Sequence, residues 1–129
     1  MAADALATGV FTTVLGDDEL ITGVGVPKLS AKARWGYYKF CIKPGEFPEA
    51  SAAAVFDPVR GAARVFIGAL DGPPVSLNGI AAAVAAAGSP SNDKDIDAAV
   101  AAAAPSLDAI DRRLHAAVLK RALQQAVAP

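Results

Sequence analysis

The run from Trp35 to Val55, WGYYKFCIKPGEFPEASAAAV, decides the fold. Side chains on a strand alternate between two faces, so Tyr38, Phe40 and Ile42 share one face, and Trp35, Tyr37, Lys39 and Cys41 share the other. The KPGEFP segment turns the chain, and Ala50–Phe56 follows as a strand of small residues. Two strands joined this closely pair antiparallel, because a parallel return needs a long crossover.

Upstream, residues 1–18 read as a lead-in segment with a short apolar patch at Val10, Phe11, Val14 and Leu15, closed by the turn-forming Gly16-Asp17-Asp18. ELITGVGVP then alternates up to Pro27, which predicts a strand with Leu20, Thr22, Val24 and Val26 on one face and Ile21, Gly23 and Gly25 on the other. Glycines inside a strand mark either a bulged edge or a place where a ligand or another backbone approaches. Downstream, Ala63–Leu70 alternates as a further strand.

Beyond Gly72-Pro73-Pro74 the period changes to that of a helix. Leu77, Ile80, Ala81, Val84 and Ala87 form one stripe that ends at Gly88, a C-cap residue. Asn92 with Asp95 starts a second helix carrying Ile96, Ala99, Val100 and Ala103, which Pro105 closes. Ser106 is read as the cap of a third helix, whose stripe is Leu107, Ile110, Leu114, Ala117, Val118 and Arg121, widened by Leu119 and Leu123. Strands followed by helices, unmixed, give an α+β fold with an antiparallel sheet of three to four strands and a three-helix layer. Residues 19–129 are read as one domain after the lead-in.

The bulk numbers exclude more than they assign. With 12 Lys+Arg against 13 Asp+Glu, the net charge of -1 leaves no basic footprint for nucleic acid or an anionic membrane. The apolar fraction of 53% includes only 6% aromatic residues, so alanine supplies much of it and buries little area per residue. No apolar run reaches the roughly 18 residues of a membrane span, and the N-terminus lacks the pattern of a secretory signal. A single cysteine, Cys41, rules out an internal disulfide and a cysteine cluster. A reducing cytoplasm is the expected compartment.

No catalytic residue and no metal ligand set is read from the sequence. The one histidine, His115, lies within a helix and is read as exposed or hydrogen-bonded. Glu46 and Glu49 are read as solvated charge. There is no GxxxxGK[ST] or GxGxxG phosphate loop. Lys39 stands beside Trp35 and Tyr37, which fits either a lysine stem packed on aromatic rings or an ammonium held next to an anion or polar heterocycle.

An ordered set of short patterns resembles the C-terminal domain of the FAD-binding medium subunit of molybdenum hydroxylases, the group that includes carbon monoxide and xanthine dehydrogenases. The set comprises Val10-Phe11-Thr12-Thr13, the Gly16–Thr22 stretch with Val26-Pro27, Tyr38-Lys39-Phe40 and Lys43-Pro44-Gly45-Glu46-Phe47. It continues with Ile67-Gly68-Ala69, Pro73-Pro74, Arg112-Arg113-Leu114 and Lys120-Arg121-Ala122-Leu123. The resemblance implies a flavin site shared with an N-terminal FAD-binding region, and places Ile21 and Lys39 at its cofactor-contacting positions. It further implies an iron–sulfur subunit and a molybdopterin subunit as partners, with no nucleic acid and no membrane. Glu46, Pro48 and Glu49 depart from the family pattern, and the glycine-rich pyrophosphate segments have no counterpart in this sequence. The alternative is an interaction module that keeps the fold without binding FAD.

Overall fold

A computed structural model describes residues 1–9 and 11–128, so the patterns expected to include Val10 or Pro129 lie partly outside the described residues. The α+β class is observed. A 3-10 turn at Ala3–Ala5 leads into a small hairpin, β1 (Ala7–Gly9) and β2 (Thr12–Thr13). The main sheet consists of β3 (Arg34–Phe40), β4 (Ala50–Asp57), β5 (Ala62–Gly68) and the short β6 (Val75–Ser76), antiparallel and in sequence order. Helices α1 (Asn78–Ala87), α2 (Asp93–Ala103) and α3 (Ala109–Val127) follow. α3 lies on β3 and β4, α1 lies on β5, and α2 packs on α3.

Alternation sorts the sheet into two faces. Gly36, Ala54 and Val65 form one cross-strand row and Tyr38, Ala52 and Ile67 the next, all toward the helices. Ala50, Ala52 and Ala54 are buried against Leu119, Ala122, Leu123 and Ala126 of α3. Small residues on both elements let the helix settle deep on the strands. Closest is Gly36, where a Cβ would stand 2.0 Å from the Ala122 carbonyl oxygen and 2.9 Å from the Ala126 nitrogen. α3 also reaches the outer edge of β3, where the Gln125 Oε1 accepts from the Tyr37 N–H at 3.0 Å.

The helix caps follow the predicted chemistry at two ends. Gly88 ends α1 at φ 64, and the Asn92 side chain accepts from the Asp95 N–H at 2.9 Å. The third differs, because Asp108 caps α3 by accepting from Ile110 and Asp111, while Ser106 sits in the turn before it. A carboxylate one residue before the first helical turn is the better placed acceptor. The α3 stripe is rotated too. Its buried residues are His115, Ala116, Val118, Leu119, Ala122, Leu123 and Ala126, whereas Ile110 is 75% exposed and Ala117 and Arg121 are exposed.

The strand expected over residues 19–27 does not form. Alternation reports which side chains would share a face, but a strand exists only when its amides meet a partner. Among the described residues, Leu20–Leu29 make no backbone hydrogen bond. The sheet's fourth strand is instead the two-residue β6.

This segment is tied back to the sheet at Asp57, a fully buried carboxylate at the end of β4. It accepts from the Ser30 hydroxyl at 2.6 Å, the Ser30 N–H at 2.7 Å, and the Val59 and Arg60 amides at 3.1 and 3.3 Å. The Ser30 hydroxyl bond, opposed by burial and aided by the three amides, holds the Asp57 carboxyl below its ordinary 3.8. A carboxyl with a lowered folded value contributes stability that is fully present above the unfolded value and is lost as pH falls through the folded one. Acidification below about pH 4 is therefore expected to release the Ser30 anchor. Asp57→Asn should be less stable than the parent at neutral pH, with the gap closing as pH drops; urea melts across that range check this, and a gap independent of pH would refute it.

Candidate functional site

The second face of the sheet lies away from α1, α2 and α3, and it holds the predicted lysine. Its rows are Trp35, Val55 and Arg64; Tyr37, Ala53 and Phe66; and Lys39, Ser51 and Gly68. The central strand thus offers only Ser51, Ala53 and Val55, while its neighbours raise Trp35 and Tyr37 on one side and Phe66 on the other. Tall side chains flanking a low strand make a trough with aromatic walls. Trp35 is 65% and Tyr37 49% exposed. A cavity of about 570 Å³ occupies the trough, lined by Tyr37, Ser51, Ala53, Phe66 and Pro74 and, from the lead-in segment, by Ala3 and Ala7.

Lys39 lies one row along from Tyr37, opposite Ser51. Its side chain is exposed and has no ion pair, hydrogen bond or ring contact among the described residues. The cation over an aromatic ring is a different one, on the opposite face. Arg121 stacks 4.8 Å from the Tyr38 ring centroid and donates to the Tyr38 hydroxyl. The Lys39 ammonium is free to meet an external partner.

Ile21 lies on another element, the unpaired Leu20–Leu29 segment, and is half-exposed. Gly23 and Gly25 beside it stand in open space, with no atom within 4 Å of a built Cβ. Ile21 and Lys39 are thus both accessible, but neither lines the trough cavity. Glu46 is less solitary than expected. It accepts from the Lys43 N–H at 3.2 Å and pairs with the Lys43 ammonium at 3.8 Å, holding the turn at Gly45, whose φ is 89.

Three features were not legible beforehand. Phe66 as the second wall of the trough follows only once β4 and β5 are in register, and the sole hint is the run of small residues at Ala50–Ala54. The Asp57–Ser30 bond spans 27 residues with no local signature. His115 is buried at 1% exposure, its Nδ1 2.9 Å from the Asp111 carbonyl and its Nε2 3.2 Å from that of Gly68. It is a hydrogen-bonded core residue. Among the described residues no group of three or more His, Cys, Asp or Glu is placed to hold a metal ion, and no helix is long and apolar enough to cross a membrane.

The sequence matches no protein-family model and no curated protein. Solved structures do match in fold. Reconstituted CO dehydrogenase from Oligotropha carboxidovorans superposes with a TM-score of 0.78 at 22% identity, over 98% of this chain and 48% of that one. Carbon monoxide dehydrogenase from Hydrogenophaga pseudoflava, in a form lacking the Mo-pyranopterin moiety of the molybdenum cofactor, gives 0.71 at 23% identity, over 92% and 45%. A cyanide-inactivated Cu,Mo-CO dehydrogenase gives 0.75 at 21% identity, over 98% and 48%. The chain has the fold of part of these enzymes and spans about half the length of the chains it matches.

Proposed function

We propose that this chain completes the flavin site of a molybdenum hydroxylase-type oxidoreductase, as the C-terminal part of its FAD-binding subunit. The observation that carries the reading is the sheet face turned away from α1 and α3, where Lys39, unpaired among the described residues, stands beside an aromatic-walled trough on a fold shared with CO dehydrogenase chains. When bound, FAD would accept electrons from iron–sulfur clusters and release them to an acceptor.

The residues present suit one half of that cofactor. A planar ring needs an apolar surface and a group that responds to its charge, and the chain offers exposed Ile21, the open Gly23 and Gly25, and the Lys39 ammonium. Ile21 packs on the ring; Lys39 places positive charge near it and favours the negatively charged reduced form. The pyrophosphate half must be held by an N-terminal FAD-binding region, since this sequence has no glycine-rich phosphate loop. An iron–sulfur subunit and a molybdopterin subunit complete the electron path.

Co-expression with an N-terminal FAD-binding polypeptide tests this directly, through a stoichiometric flavin absorbance in the purified complex. In that complex Lys39→Met is expected to lower the flavin potential by about 50 mV, the effect of removing roughly 2–3 kcal/mol of charge stabilisation from a two-electron couple. An unchanged potential and flavin affinity would remove Lys39 from the site. A complex that forms without flavin would favour the interaction module.

A further inference from the structure

We infer that the β4–β5 turn and the junction of β6 with α1 form a binding site for a phosphoryl group, carried by a small phosphomonoester or as free phosphate. The site is independent of the flavin contacts proposed for Ile21 and Lys39. It is a cavity of about 440 Å³ lined by Arg60, Arg64, Ser76 and Asn78, with Ala62 and Ala63 between the two arginines.

The fold brings these groups together from three places. The chain turns after β4 through residues 58–61, with Gly61 at φ 62, and the Arg60 N–H is fixed on Asp57, 3.2 Å from its carbonyl oxygen and 3.3 Å from its carboxylate. Arg64 follows on β5, in the row of Trp35 and Val55 and at the opposite end of that sheet face from Lys39. The third part comes from β6. There Ser76 is paired with Phe66, and the Leu77 N–H donates to the Val65 carbonyl, which carries the pairing on to Asn78, the first residue of α1.

What these side chains share is a surplus of donors. Arg64 has no hydrogen bond, ion pair or ring contact among the described residues. The Arg60 Nε lies 3.8 Å from the Asp57 carboxylate, beyond hydrogen-bond distance, and that carboxylate already accepts from Ser30 and from the Val59 and Arg60 amides. The Ser76 hydroxyl donates to the Asn78 Oδ1 at 2.7 Å, which occupies the amide's acceptor and leaves its NH₂ group as a donor. No carboxylate lines the cavity, and the first turn of α1 has no acidic residue. Two guanidiniums without a counter-charge of their own make a cavity that an anion completes.

Phosphate suits the donor set better than carboxylate. A guanidinium fork takes two oxygens, so two forks and an amide outnumber what the two coplanar oxygens of a carboxylate can accept, whereas the terminal oxygens of a phosphoryl group point in different directions. The cavity is larger than a bare phosphate fills, and Ala62 and Ala63 give an apolar wall for the body of an ester.

The test is an amide-resolved NMR titration of the full chain at neutral pH with glycerol phosphate, inorganic phosphate and, at matched ionic strength, acetate. Saturable shifts are expected at residues 60–64 and 76–79, with acetate at least about tenfold weaker. Arg60→Gln and Arg64→Gln should each weaken phosphate binding about tenfold or more. Lys94→Gln, which removes the same charge from α2, should change it by less than about twofold. Because Arg64 is exposed and without a partner among the described residues, Arg64→Gln should keep the parent's thermal melt, so its loss of binding is not a loss of fold. Tighter binding of glycerol phosphate identifies an ester as the ligand and equal binding identifies free phosphate; both uphold the site. Shifts that acetate reproduces, shifts that weaken equally in all three variants, or no saturable shift with either phosphate would overturn it.

Discussion

Gly36→Ala is expected to destabilise the protein by about 3 kcal/mol or more, a large cost for adding one methyl group. The added carbon would lie 2.0 Å from the Ala122 carbonyl oxygen, with the Ala126 nitrogen and Gln125 Cβ both at 2.9 Å. The obstruction is mostly helix backbone, which cannot rotate aside as a side chain can. α3 must lift from β3, and the shift opens gaps around Leu119, Ala122, Leu123 and Ala126, which have no exposed surface to spare. A urea titration would show the midpoint falling sharply. Trp35, the single tryptophan, sits next in sequence on the opposite face and reports the movement by fluorescence. A midpoint within error of the parent would mean that α3 is not seated on Gly36.

His115→Ala should cost about 3 kcal/mol, for two separable reasons. The imidazole is one of the larger fully enclosed side chains, so truncation leaves a cavity beneath α3. It also links α3 to the end of β5, through the Gly68 carbonyl 47 residues away. His115→Phe separates the two, retaining the bulk while leaving that carbonyl without its ring partner, and is expected to recover about half of the loss. Equal stability for the two variants would show that packing contributes nothing; a phenylalanine variant as stable as the parent would show that the ring's hydrogen bonds contribute nothing.

Periodicity sufficed for the parts of the fold whose partners are sequence neighbours. β3, β4 and β5 are joined by short turns, so the alternation of Trp35–Lys43, Ala50–Phe56 and Ala63–Leu70 determined both the strands and their antiparallel pairing. Caps at Gly88 and Asn92 were readable because their chemistry is local. The stripe of α3 was not, because alanine on most sides of a helix gives little contrast between faces, and Ile110 drew the pattern toward solvent. Leu20–Pro27 shows the converse, a strand pattern that pairs with no strand among the described residues. For the site, Lys39 was placed on the correct face with Trp35 and Tyr37, but the trough beside it required the register of β4 and β5. Ile21 and Lys39 as a cofactor pair come from the resemblance, and the chemistry that tests them is flavin binding.

The contact between Tyr37 and Gln125 also orders events in time. Consecutive strands close over short loops and are expected to pair first, whereas α3 must find β3 across 88 residues. During that interval the alanine face of β4 has no cover, and it attracts solvent-excluding neighbours only weakly because each methyl buries so little area. A small-residue face is a quiet one to leave open. The same alanines that later admit the helix backbone so closely thus make the half-built sheet a poor seed for aggregation while it waits.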